Sequence, residues 1–316
     1  MIRVAVVVPT FERATRLPSL IAALEGQTLP PDDFEVIVSD DGSRDDTPAV
    51  LKELSERTRL QLRVVRSDEN RGSGAARNAA WQSSEAPVIA FTDDDCLPTP
   101  RWLEAGLAAL QDPTVGIVQG RTLPDPAAPK EGRSLTVERF TMRYETCNIF
   151  YRTDVLRAVG GFDEGALFTK KRAFGEDTEL GWKARTRGIK GVYKQDALVH
   201  HAVTYPGFGF WWRYAMKHAN WALLVRRFPA MRRELLWQRL FLRRRHAGFL
   251  VATAGVAVGA SLWWPAYFLA APYLWRRRPR TFALRSIGES FWETTYDLLQ
   301  IIALVKGSLR ERTLVL

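Results

Sequence analysis

The chain has 316 residues, 46% of them hydrophobic, and a formal net charge of +10. That length allows one large domain or two small ones and ample core. The two cysteines, Cys96 and Cys147, give neither a disulfide framework nor a zinc-ligand spacing, so a reducing, cytoplasmic setting is the simplest reading. The charge is uneven: residues 201–316 hold 18 Lys+Arg against 5 Asp+Glu, while residues 1–200 hold 27 against 30. A near-neutral front suits a soluble catalytic domain, and a basic rear suits an anionic surface, lipid or nucleic acid. The opening apolar run, Val4 to Val8, is too short for a signal peptide and reads as a strand.

A helix is expected from Leu17 to Gln27 and a second strand from Phe34 to Val38. Thr47 caps the next helix, with Pro48 in its first turn. Leu62–Val65 reads as a strand, Ala75–Ser83 as a helix and Pro87–Phe91 as a fourth strand. Short apolar runs without strict alternation, interleaved with helices, imply an α/β fold with a doubly wound, mostly parallel sheet covered on both faces. Residues 112–135, rich in proline, glycine and alanine, read as a loop, and a second α/β stretch runs from about Thr136 to Val199. Within it, a helix starts near Asp177 and runs to Arg187, stopped by Gly188. Residues 1–203 are therefore taken as the catalytic domain and 204–316 as a helical membrane-association region. There Phe208–Phe228 mixes Trp211, Trp212, Tyr214 and Trp221 with arginines, and residues 247–275 carry no charge. Arginine triplets flank that run at 243–245 and 276–278, and Phe282–Val305 is amphipathic, with Leu284, Ile287, Phe291, Leu298, Ile302 and Val305 near one face.

Ligands of open α/β sheets bind beyond the C-terminal ends of the strands. Pro9-Thr10-Phe11-Glu12-Arg13, Asp40-Asp41-Gly42-Ser43 and Asp93-Asp94-Asp95 all follow strands, so they should meet along one edge. Two acidic clusters converging there would repel unless a cation sat between them. Carboxylates one residue apart suit Mg²⁺ or Mn²⁺; the plain alternative is an acidic loop capping a helix. Asp-Gly is also an ordinary turn pair, and an acid in a first helical turn, such as Asp177, ordinarily complements the dipole. Gly72 and Gly74 permit close approach to a phosphate or sugar, with Arg77 placed to pair a diphosphate.

Taken in order, Val7-Val8-Pro9-Thr10-Phe11-x-Arg13, Val38-Ser39-Asp40-Asp41-Gly42-Ser43, Asn70-x-Gly72 through Ala76-Arg77-Asn78, Phe91-x-Asp93-Asp94-Asp95, Gly160-Gly161-Phe162-Asp163-Glu164 and Gly175-Glu176-Asp177-x-Glu179-Leu180 resemble the family 2 glycosyltransferases of the GT-A fold. The match covers residues 3 to about 201. The resemblance implies a nucleotide-diphosphate sugar donor, a divalent metal (Mg²⁺ or Mn²⁺) and inversion at the anomeric carbon. It places Pro9, Thr10, Phe11, Glu12 and Arg13 around the nucleotide, Asp41 at the base with Asp40 beside it, and Gly72, Arg77, Asp93 and Asp94 near the donor. It implies a metal held by Asp93 and Asp95, Asp95 the preferred direct ligand, with His201 (or His200) added. Asp177 matches the catalytic base, and Gly161, Phe162 and Glu176 match the acceptor region.

The expected function is sugar transfer to an acceptor hydroxyl or phosphate, on a lipid-linked or cell-envelope glycan. The alternatives are a catalytically silent membrane scaffold of the same fold and a nucleotidyltransferase. The latter would need a glycine-rich basic loop after the first strand, which Pro9–Arg16 lacks. The expected partners are the nucleotide-diphosphate sugar, a glycan or lipid-linked acceptor and an anionic membrane surface, with no nucleic acid. Twenty-nine uncharged residues suffice for one crossing or a shallow hairpin. Arginines on both flanks favour a hairpin on the cytoplasmic face of the cell membrane, peripheral or monotopic, over a single pass that would export Arg276, Arg277, Arg278 and Arg280.

Overall fold

The computed structural model describes residues 1–129, 132–164, 174–279, 281 and 284–316. Its contacts divide the chain into two units, Met1–Tyr205 and Pro206–Leu316.

The first unit is built on an eight-stranded sheet: β1 (Val4–Thr10), β2 (Phe34–Asp40), β3 (Gln61–Arg66), β4 (Val88–Thr92), β5 (Cys96–Pro98), β6 (Val115–Pro124), β7 (Asn148–Arg152) and β8 (Lys190–His201). Their order is β3-β2-β1-β4-β7-β6-β8-β5. Helices α1 (Leu17–Glu25), α2 (Thr47–Arg57), α3 (Ser73–Gln82), α4 (Trp102–Ala109), α5 (Thr153–Val159) and α6 (Glu176–Thr186) connect or cover the strands. The five valine and alanine side chains from Val4 to Val8 are fully buried, which is why β1 shows no alternation: helices cover both its faces.

Six of the eight strands run one way, so the sheet is mostly parallel with two reversed members: β7 runs antiparallel to both β4 and β6, and β5 antiparallel to β8. One expectation needs correction. The segment expected to be a loop, 112–135, contains β6, a ten-residue strand buried along most of its length. Its Gly116 and Gly120 masked the strand pattern, yet a Cβ at Gly120 would lie 2.4 Å from the carbonyl of Ala197, so the glycine is needed for close packing. In addition, Asp46 rather than Thr47 is the N-cap of α2. The Thr47 hydroxyl instead accepts the amide N–H of Arg13 at 2.9 Å.

Strand β8 changes register against β6 after Gly120↔Lys194, resuming at Arg121↔Leu198. Buried Asn148 holds this irregularity, donating from Nδ2 to the carbonyls of Arg121 (2.7 Å) and Ala197 (2.9 Å). The displaced end of β8 then pairs His201 with Cys96, beside the acidic triplet.

The second unit comprises α7 (Phe208–Lys217), α8 (Asn220–Arg227), α9 (Met231–Glu234), α10 (Arg244–Ser261), a 3₁₀ segment Trp264–Ala270, α11 (Ala271–Arg277) and α12 (Leu284–Glu311). Phe282, the expected start of the last helix, and Arg280 lie outside the described residues. The uncharged run folds back on itself, α10 packing against the 3₁₀ segment and α11. Glycines permit this: a Cβ at Gly255 would meet the Ala266 carbonyl at 2.7 Å, and one at Gly259 the Tyr267 ring at 2.9 Å. No helix among the described residues is long and apolar enough to cross a membrane. In α12 the apolar stripe of Ile287, Phe291, Leu298, Ile302 and Val305 is exposed, while Asp297 and Gln300 are buried.

Candidate active site

The loops after β1, β2 and β4 meet at one edge of the sheet, where Thr10 pairs in register with Asp40. The first loop is tied to the second: the Glu12 amide donates to Ser43 Oγ at 2.9 Å, as the Arg13 amide does to Thr47. Glu12 itself sits at φ +54°, an uncommon conformation for a side chain with a Cβ. Gly42 has φ +77°, and a Cβ there would lie 2.7 Å from the Glu69 backbone, so only glycine fits this turn.

The carboxylates of Asp40 and Asp41 are held by groups of the chain itself. Asp40 is buried and paired with Arg66, and it accepts the Ser43 amide at 2.9 Å. Asp41 accepts the amides of Arg71 (2.8 Å) and Gly72 (2.7 Å), fastening the loop before α3. Their negative charge is met by their own donors.

The triplet divides three ways. Asp93 Oδ1 takes the buried guanidinium of Arg77 at 2.6 Å. Asp94 accepts the Thr10 hydroxyl at 2.7 Å and lies 3.9 Å from Arg13. Asp95 faces His201, with Nε2 3.6 Å from Oδ1. Burial, together with Asp95 and Asp93 nearby, pushes the Asp94 carboxyl up to about 7 despite Thr10 and Arg13. Burial and Asp93 likewise raise Asp95, opposed by His201. For Asp94 and Asp95, burial and mutual crowding outweigh the nearby Arg13 and His201, which fits a cation site.

The ligand atoms of Asp95, Cys96 and His201 lie within 4.8 Å of one another. Burial pushes the Cys96 thiol well up, which keeps it protonated and leaves an oxygen and a nitrogen as donors suited to Mg²⁺ or Mn²⁺. His201 Nδ1 lies 2.9 Å from the Ala202 carbonyl. A proton on Nδ1 satisfies that carbonyl and turns the Nε2 lone pair toward Asp95. His200 pairs with Leu97 in the ladder and has no such contact.

A cavity of about 330 Å³ opens beside these groups, lined in part by Asp94, Asp95, Arg16, Ser19 and Asp125. The sequence reading missed the last three. Arg16, three residues after Arg13, was the legible signal, since two arginines in one loop beside a diphosphate-sized cavity suit an anion.

Asp177 lies in the first turn of α6, behind Gly175, whose φ of +98° sets the turn into the helix. Burial, then Glu176 and Glu145, push the Asp177 carboxyl well above the usual range, opposed by the Thr178 amide and Arg77. Arg77 thus feels both Asp93 and Asp177, which joins the two halves of the site electrostatically. Glu145, also missed, is fixed by Gln119 Nε2 (2.6 Å) and the Thr141 hydroxyl (2.5 Å).

The expected acceptor residues separate. Glu176 accepts the Ser73 hydroxyl at 2.9 Å beside the loop of Gly72. Phe162 is buried against Phe91, with ring centroids 5.4 Å apart. Gly161 lies at φ +65° under Asn78, and its carbonyl accepts Lys183 at 3.0 Å. Pro9 lies within β1, and Phe11 is exposed at its end.

Comparison with known proteins places the chain in a family. The family profile described as Glycosyl transferase family 2 matches residues 5–168. Glycosyltransferase AglE of Haloferax volcanii is 32% identical over 209 residues, covering 63% of this chain and 66% of that protein. A validoxylamine A glucosyltransferase of Streptomyces hygroscopicus subsp. limoneus is 27% identical over 274 residues, covering 74% of this chain and 58% of that protein. The matches thus span about three-fifths to two-thirds of these relatives' length. In fold, the chain is similar to the mannosyltransferase PcManGT from Pyrobaculum calidifontis in complex with GDP-Man and Mn²⁺, with a TM-score of 0.64 at 21% identity over 98% of this chain and 88% of that one. Staphylococcus aureus TarS in complex with UDP-GlcNAc gives 0.53 at 18% identity over 99% and 93%. With more than half of its residues matched by the profile, and with the mixed α/β sheet of the GT-A fold, the chain belongs to glycosyl transferase family 2.

Proposed function

We propose that this protein transfers a sugar from a nucleoside-diphosphate sugar to an acceptor hydroxyl or phosphate, with inversion. The observation that carries this reading is Arg77, whose guanidinium pairs with Asp93 on the donor side and lies in the field of Asp177 on the other. A divalent cation, held by Asp95 and His201, would supply positive charge against the donor diphosphate.

The residues of the chain divide the remaining work. Arg16 lines the cavity where the diphosphate would lie, Arg13 lies 3.9 Å from Asp94 beside it, and Asp41 fixes the backbone of Arg71 and Gly72 near the donor. The Asp177 carboxylate takes the proton of the acceptor hydroxyl as its oxygen bonds to C1 of the sugar. The bond from C1 to the phosphate oxygen breaks on the opposite face, and its electron pair leaves with the nucleoside diphosphate. The raised affinity of Asp177 for protons suits this role, since a more basic carboxylate takes the acceptor proton more readily.

Unit Pro206–Leu316 would hold the enzyme on the cytoplasmic face of a membrane, facing a lipid-linked or cell-envelope acceptor. The exposed Leu262, Trp263, Trp264 and Phe268 of the folded-back run, with arginines at its base, support this reading. Thermal-shift screening against UDP-, GDP- and dTDP-sugars with Mn²⁺ tests the donor claim. Stabilisation by a nucleotide sugar only with the metal present is the expected result. No shift with any donor would defeat it.

A further inference from the structure

At the base of the folded-back run, the second unit contains a cavity of about 300 Å³ lined by Arg245, Gly248, Pro272, Tyr273, Arg276 and Arg277. Three arginines and no acidic residue line it. Two of the three are held in place from behind. Asp297, fully buried, pairs with Arg245 at 2.8 Å and with Arg277, and it accepts the Tyr273 hydroxyl at 3.0 Å. Gln300 takes a further hydrogen bond from Arg245 at 2.6 Å. Arg277 also pairs with Glu293 on its outer side. Arg276 is exposed, with no partner among the described residues.

A purely structural staple accounts for Asp297 and its two arginines. It does not account for Arg276, the third arginine lining the same hollow. The first turn of α10, whose N-cap Arg243 makes no side-chain capping bond, adds its partial positive charge there. The remaining lining, Gly248, Pro272 and the Tyr273 ring, is apolar, and Leu274 and Trp275 beside it are exposed. A free anion would need only the arginines. An amphiphile needs both surfaces.

We propose that this cavity binds the phosphate headgroup of an anionic membrane phospholipid, with the acyl chains lying along the exposed apolar side chains of the adjoining run. The inference rests on the membrane reading above, but it goes beyond that reading by assigning a specific site.

Vesicle flotation of the full chain, with phosphatidylcholine alone and with phosphatidylglycerol added at constant ionic strength, tests it. Wild type should bind the anionic vesicles at least about tenfold more tightly. Gly248→Leu fills the cavity without changing charge; a Cβ at this position makes only ordinary contact with Tyr273, at 3.5 Å. It should lose most of the preference and keep neutral-vesicle binding. Arg276→Gln should also lose it, which keeps the test intact if Gly248→Leu fails to fold. Arg278→Gln removes a charge that stacks on Trp275 outside the cavity, and should cost only the roughly fivefold of one surface charge. A preference intact in both cavity variants would overturn the site and leave membrane association standing. Absence of binding to either vesicle would instead defeat the membrane reading. Thermal protection by inorganic phosphate equal to that by the lipid would assign the cavity to a free anion and overturn the proposal.

Discussion

Arg77 and Asp93, 16 residues apart in the chain, meet in an ion pair at 2.6 Å whose arginine side chain is only 6% exposed. Removing the arginine leaves a half-buried carboxylate among two others. Arg77→Ala should therefore destabilise the fold by about 2–3 kcal/mol, somewhat below the usual cost of breaking a buried pair because Asp93 keeps some solvent contact. A urea titration measures it. Arg77→Lys keeps the charge but loses the fork, so it should recover part of the stability and little of the turnover.

Asp177→Asn should bind the donor as wild type does and lose about 10²–10⁴-fold in turnover. Donor titration beside steady-state rates separates the two. Full turnover in this variant would remove Asp177 from the base role.

The same residue gives a stability prediction with a definite sign. Its carboxyl is raised in the folded protein, so the folded state holds the proton more tightly than the unfolded chain. The stability this contributes is complete at low pH and is lost as pH rises from the unfolded value through the raised one. Asp177→Asn should thus melt higher than wild type at pH 8, with the gap closing near pH 4. The raised value also predicts that wild-type kcat/KM falls as pH drops through it. A wild type that melts above the variant at pH 8 would contradict the burial argument.

The histidine pair offers a direct comparison. His201→Ala should weaken Mn²⁺ binding about tenfold or more, since its Nε2 faces Asp95. His200→Ala should change it little. Calorimetric titration of Mn²⁺ reads both; equal losses would show that neither ring is a direct ligand.

Gly42→Ala should cost more than about 1 kcal/mol, because the turn needs φ +77° and the Cβ would strike the Glu69 backbone. Chemical denaturation measures it, and a neutral result would mean that the loop after β3 yields easily.

Topology is separately testable. A reporter fused after Leu316 should read as cytoplasmic if the run 247–275 lies as a hairpin. A reporter exposed on the opposite side would establish a single pass.

The motifs after β1, β2 and β4 were legible because each follows a short buried run whose end must point to the ligand edge. Strand β6 was not legible, since Gly116 serves packing against Ile189 and Val155 and Gly120 against Asn148 and Ala197, partners distant in sequence. Asp40 and Asp41 read as one acidic cluster, yet Arg66 and the amides of Arg71 and Gly72 answer them locally. Phe162 belonged to a recognisable motif but is buried on Phe91. Glu145 carries no local signature, because its meaning comes from Gln119, Thr141 and the nearness of Asp177.

The sequence alone determined the family, the strand-end positions of the acidic residues and the split between a near-neutral front and a basic, apolar rear. These are local properties: composition, spacing and turn chemistry along one stretch of chain. Only the tertiary structure decided which carboxylate meets which cation, that His201 rather than His200 reaches Asp95, and that α12 turns Asp297 inward and its apolar stripe outward. Such choices depend on register and packing between distant segments, where a shift of one residue reverses the direction of a side chain.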